Sequence, residues 1–183
     1  MKVSDDVSRS QKQGSLLLAV SFLLLLVRVA VFGRGRLSIL LLALVYISLL
    51  GLSRPTLRVP DSRALLPAMV GVTTIVAARL FLAPPFPLAS TTAGLLLSVL
   101  AALAEEAFFR GALFARLEPY GRNIAILVSA VAFALVHVPF YGMAALPVDL
   151  GAGLLFSWQR SESGSWPVAA ATHALANVLA VVR

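Results

Sequence analysis

The chain contains no cysteine, which excludes disulfides, a thiolate nucleophile and cysteine-held metal sites. Charge is also scarce: Asp, Glu, Lys and Arg make up 13% of the residues, against about 25% in an ordinary soluble domain. Histidine is reduced to two positions, His137 and His173, and both fall inside apolar runs. What fills the chain instead is hydrophobic, 60% of all residues, with a mean hydropathy of +0.94. So little charge cannot coat a water-soluble fold, and the composition identifies a multispanning membrane protein. The net charge is +7, but the basic residues stand singly between apolar runs. They read as topology determinants and contacts to membrane lipids, and no nucleic-acid surface is expected.

The 183 residues accommodate six or seven helices of ~20 residues each. The expected fold is all-α, a polytopic transmembrane helix bundle of six to seven spans, with no internal repeat and no room for a second domain. Residues 1–14, MKVSDDVSRSQKQG, read as a short, flexible polar tail, and residues 15–183 as one membrane-embedded domain. The apolar run after the tail has no clear small-residue cleavage site and is taken as a retained first span. That span is Ser15–Phe32, with Arg28 near its far end and able to snorkel outward. After the basic turn Gly33–Arg36 comes Leu37–Leu52, closed by Ser53-Arg54-Pro55, and after a polar loop Ala64–Leu82. Ala83–Pro87 stops that helix, Leu88–Leu117 forms a long fourth span, and Ile124–Val138 a fifth that Pro139 halts. Gly142–Trp158 is read as a span interrupted by Pro147, Gln159–Ser165 as a polar turn, and Trp166–Val182 as the last span. Trp158 and Trp166 flank that turn and read as interfacial anchors, Arg79 as a snorkelling residue, and Asp149 as a structural cap of the helix after Pro147. With the N-terminus inside, ten of the 15 basic residues lie on the inner side, so a cytoplasmic N-terminus is expected.

Against this background Ala104–Gly111, AEEAFFRG, stands out. Adjacent carboxylates in lipid are expensive and by default functional. On a helix, Glu106 and Arg110 lie at i, i+4 in the favourable order, acid before base, and read as a supporting ion pair. Glu105 points roughly 100° away and has no local partner. An acid without a partner in a low-dielectric setting suits proton exchange near neutrality. Counted from the inner turn near Arg116–Arg122, Glu105 lies about 16 Å up its helix and His137 about 22 Å up the next. His173 lies about 10 Å beyond Trp166. The three therefore reach one layer, and Asn177 shares the face of His173 at i, i+4. Glu105, His137, His173 and Asn177 surround one intramembrane cavity on this reading. Such a set activates water through Glu and His and offers His and Asn donors to an oxyanion.

These residues also carry a resemblance. EEAFFR (Glu105–Arg110), FALVH (Phe133–His137) and HALAN (His173–Asn177) resemble the EExxxR, FxxxH and HxxxN/D patterns of the CPBP family. These are the CAAX-protease and bacteriocin-processing intramembrane endopeptidases, which include the Ras-converting CAAX endopeptidases. The likeness covers roughly residues 88–182 and uses both histidines, in the family's order. Asp149–Gly153 looks like the family's looser small-residue motif. The resemblance implies a glutamate-dependent peptidase acting on a membrane-anchored or lipidated protein or peptide. In it Glu105 and His137 would activate water, His173 and Asn177 would form the oxyanion site, and Glu106 and Arg110 would support them. No cofactor is expected. A zinc peptidase ligated by Glu105, His137 and His173 is the less favoured variant, since no HExxH pair is present. A non-catalytic relative acting in immunity or regulation is disfavoured by the intact motifs, and a proton-coupled carrier by the absence of a repeat. The short, Leu- and Arg-rich chain looks prokaryotic, which places it in a plasma membrane.

Overall fold

The computed structural model describes residues 2–32, 36–53, 56–81 and 91–181, and among them there is no strand. Long apolar runs with few glycines and prolines inside them satisfy their backbone polar groups internally, as lipid requires, and the helices follow the runs. They are α1 (Lys2–Val31), α2 (Arg36–Ser53), α3 (Leu65–Phe81), α4 (Thr92–Glu106), α5 (Phe114–Leu117), α6 (Arg122–Tyr141), α7 (Leu146–Ser163) and α8 (Trp166–Val181). Between α4 and α5 the chain runs as a π-helix, Ala107–Leu113. Among the described residues, four segments are long and apolar enough to cross a membrane: Gly14–Val31, Ser62–Phe81, Thr92–Tyr120 and Arg122–Tyr141. Leu37–Ser53 is a shorter apolar helix. The bundle is the all-α membrane architecture expected from composition. Of the turns expected at Gly33–Arg36 and Ser53–Pro55, Arg36 and Ser53 are the ends of α2 and the rest lies outside the described residues, as does Ala83–Pro87.

Several boundaries differ from the sequence reading. α1 begins at Lys2, so the polar tail enters the helix. Pro139 does not halt α6, which runs on to Tyr141 and ends at Gly142 with φ 75°. A proline this close to a C-terminus forfeits only the bond to the carbonyl four residues back, and the turn is made by the glycine, which adopts positive φ without strain. Pro147 opens α7 instead of interrupting a span, because the first helical turn needs no N–H donor there. Asp149 sits in that first turn but does not cap it: the N-cap is Ala145, without a side-chain bond. The polar stretch from Gln159 is not a turn, since α7 continues to Ser163. Gln159 is buried and donates through Nε2 to the Pro67 carbonyl (2.9 Å) and to Thr172 Oγ1 (2.8 Å), tying α7 to α3 and α8. Trp166 is 6% exposed and packs on Ala107 and Ala170, a core residue and not an interfacial anchor. Arg79 does not simply snorkel, since its Nε donates to the Leu179 carbonyl at 2.9 Å.

α6 packs on α7, α4 lies between α2 and α8, and α1 covers α2. Helices in lipid gain most by close backbone approach at small residues. Gly153 of α7 illustrates it: a Cβ there would stand 2.9 Å from the Ala130 carbonyl oxygen of α6. The core that results, including Leu25, Leu49, Phe108, Phe109, Phe133 and Phe156, surrounds the junction of α4 with the π-helix. That junction carries the acid pair.

Candidate active site

Glu106 closes α4, and Arg110 lies in the π-helix four residues on; both are 0% exposed. Arg110 Nη1 donates to Glu106 Oε1 at 2.9 Å, the ion pair expected from their spacing. Its Nη2 donates to the Gly153 carbonyl at 2.8 Å. The guanidinium lies 4.6 Å from the Phe133 ring centre and 5.3 Å from that of Phe156, so cation–π attraction in a desolvated setting adds to the pair. Arg160 Nε bonds the Arg110 carbonyl at 2.9 Å. The wide π turn leaves backbone carbonyls open to such outside donors, and π segments recur at functional sites. His173 of α8 brings Nδ1 to 3.0 Å from Glu106 Oε1. A carboxylate paired with a guanidinium only accepts, so Nδ1 carries a proton and Nε2 is turned elsewhere.

Glu105, 3% exposed, faces α6 and α1. Its Oε2 lies 3.5 Å from His137 Nε2. His137 Nδ1 donates to the Phe133 carbonyl at 2.7 Å, which fixes the ring and leaves Nε2 as the nitrogen facing the acid. Glu105 is not unpaired, as the sequence reading had it: its Oε1 accepts from Arg28 Nη1. Arg28 is accordingly not a snorkelling surface residue but 2% exposed. Its Nη2 donates to the Val136 carbonyl at 3.1 Å, and its guanidinium lies 4.7 Å over the Phe140 ring. The missed signal was one of matching: one intraspan acid without a local partner, and one arginine inside the first span.

Phe133 holds the two halves together. His137 packs on its ring with centroids 4.5 Å apart and His173 meets it edge-on at 5.5 Å, so both histidines flank one side chain. Tyr141 stacks on His137, and Phe156 stacks on His173. The predicted residues thus form two adjoining sets, Glu105 with His137 and Glu106 with Arg110 and His173. Asn177 donates through Nδ2 to the Ser98 carbonyl at 2.9 Å, a bond to α4 and not to either set. Among the described residues, no group of three or more His, Asp and Glu side chains is placed to hold a metal ion.

The family model described as type II CAAX prenyl endopeptidase, Rce1-like, matches residues 87–179. The match runs from before α4 to near the end of α8, takes in Glu105, Glu106, Arg110, His137, His173 and Asn177, and leaves out α1 to α3. Comparison with curated proteins and with solved structures returned no match. Half of the chain lies within the family model and all of the polar motifs fall inside that half, on an all-α membrane bundle; the chain belongs to the Rce1-like family of type II CAAX prenyl endopeptidases.

Proposed function

We propose that this protein is a glutamic intramembrane endopeptidase in which Glu105 and His137 activate the attacking water. The observation that carries this reading is the 3.5 Å approach of Glu105 Oε2 to His137 Nε2 in the buried interior of the bundle. At that separation one water hydrogen-bonds to both atoms at about 2.8 Å. The water oxygen attacks the scissile carbonyl carbon while its proton passes to the Glu105–His137 pair. The tetrahedral oxyanion is met by Asn177 and by His173 Nε2 in the imidazolium form, in which both ring nitrogens donate and Nδ1 keeps its bond to Glu106. A carboxamide has two N–H donors, and the bond to Ser98 uses one of them. When the C–N bond breaks, the proton held by the pair goes to the leaving amine. Glu106, itself held by Arg110, orients the His173 ring by accepting from its Nδ1–H.

The substrate is a membrane-anchored protein, as the family implies; within that class we favour a lipidated or membrane-inserted segment cut near the membrane face. The excess of basic residues in the inner segments favours a cytoplasmic N-terminus, and the composition a prokaryotic plasma membrane. The test is cleavage of a lipidated peptide by protein reconstituted in nanodiscs. Glu105→Gln and His137→Ala should each lose turnover while keeping the parental elution and thermal unfolding profile; full turnover in both would sink the proposal. Turnover that collapses in a strong chelator and returns with zinc would instead support metal chemistry.

A further inference from the structure

α1 lies wholly outside the residues that the family model matches, yet it supplies a cation to Glu105. Arg28 is held by three other helices. Glu105 of α4 accepts from it, α6 offers the Val136 carbonyl and the Phe140 ring, and Tyr46 of α2 lies against it. Phe32, one turn further on, packs edge-on against Phe140 at 5.2 Å and seats the end of α1 on α6. The guanidinium is therefore held by its surroundings as well as by the acid. It engages one carboxylate oxygen, and the other is the one that faces His137.

We propose that Arg28 is a positioning residue of the peptidase: it clamps Glu105 by Oε1 so that Oε2 stays aimed at His137 Nε2. The inference rests on reading Glu105 and His137 as the water-activating pair. A glutamate has three side-chain torsions, and a free one would sample orientations that carry Oε2 away from the imidazole. A purely structural tie is a weaker account. A buried ion pair stabilises a fold no better than well-packed apolar side chains of the same volume, so as packing alone Arg28 gains nothing over a leucine. As a clamp it orients the carboxylate that the reaction uses. The N-terminal spans then complete the site and do more than anchor it.

The test compares Arg28→Met and Arg28→Lys with the parent, in nanodiscs and on the same lipidated peptide. Misplacement of a reacting group by about 1 Å costs about 100-fold in rate, so Arg28→Met should lower kcat by about that factor and leave KM within about twofold. Arg28→Lys should recover part of the loss, because an ammonium keeps the charge but not the planar fork. A kcat for Arg28→Met within about twofold of the parent overturns the clamp. A second readout does not depend on turnover or on the methionine variant folding. The chain has two histidines, so their ring nitrogen-15 resonances are assigned with one His173→Gln sample. In Arg28→Lys the His137 resonances should move and those of His173 should stay; unmoved His137 resonances overturn the proposal. Parental turnover by Glu105→Gln would refute the functional reading itself, whatever the resonances do, so the two failures are distinguishable.

Discussion

Two glycines two residues apart on α7 make opposite predictions. At Gly153 an added Cβ would lie 2.9 Å from the Ala130 carbonyl oxygen, 3.0 Å from its Cα and 3.3 Å from its carbonyl carbon, all backbone atoms. To restore an ordinary contact of about 3.4 Å, α6 and α7 must part by about 0.5 Å at this layer. Overpacking of this kind costs about 1–3 kcal/mol. The displacement has a second effect, because the Gly153 carbonyl accepts from Arg110 at 2.8 Å and any shift of α7 pulls on that bond. At Gly151 an added Cβ meets nothing within 4 Å. Alanine there should be stabilising by about 0.5–1 kcal/mol, since it only reduces the freedom of the unfolded chain within a helix. Thermal unfolding of Gly153→Ala and Gly151→Ala in the same nanodiscs gives the comparison. At about 2–4 °C per kcal/mol for a chain of this size, the two midpoints should separate by several degrees, with Gly151→Ala higher. A Gly153→Ala midpoint equal to or above that of Gly151→Ala would refute the close approach of α6 to α7.

Two further outcomes probe the polar half of the site. Arg110→Met leaves the fully buried Glu106 without its guanidinium, and unfolding should report a loss of about 3–5 kcal/mol. Glu106→Gln added to it should recover part of that, and additive losses in the double variant would show that the pair is not coupled. Asn177→Ala should lower kcat by about 10²–10³-fold as a missing oxyanion donor. A change in unfolding midpoint with kcat untouched would confine Asn177 to its bond with Ser98.

What could be read from sequence was what depends on near neighbours or on composition. Apolar runs long enough to span lipid locate α1, α3, α4 and α6, because in a bilayer the backbone has few alternatives to helix. The Glu106–Arg110 pair was legible because four residues is one helical turn. Arg28 was not: it reaches Glu105 across 77 residues, and nothing local in either segment records which helices become neighbours. The misread boundaries have a related cause. Pro139 and Pro147 carry the same local preference, yet one sits inside the last turn of a helix and the other opens one, and the glycine and packing around them decide which. Gln159 looks like part of a solvated turn until α3 and α8 supply hydrogen-bond partners close enough to bury it. The π-helix has no local signature, since its seven residues would serve an α-helix equally well. It is favoured by what docks on it from outside, Arg160 on the Arg110 carbonyl among them.

The distance along the chain between Arg28 and Glu105 also sets an order of events during synthesis. Arg28 is translated 77 residues before the acid it will meet, so α1 enters the bilayer with a cation that has no counter-charge. At mid-membrane such a residue costs about 2.5–3.5 kcal/mol, but Arg28 lies in the last turn of α1 and can reach the headgroups from there. The snorkelling arginine of an isolated span and the buried arginine of the finished bundle are then two stages of the same residue. Its withdrawal from the lipid surface waits for α4, and the acid pair waits in turn for α6 and α8 to bring His137 and His173. A half-inserted chain therefore carries these polar residues without the arrangement that the full bundle gives them.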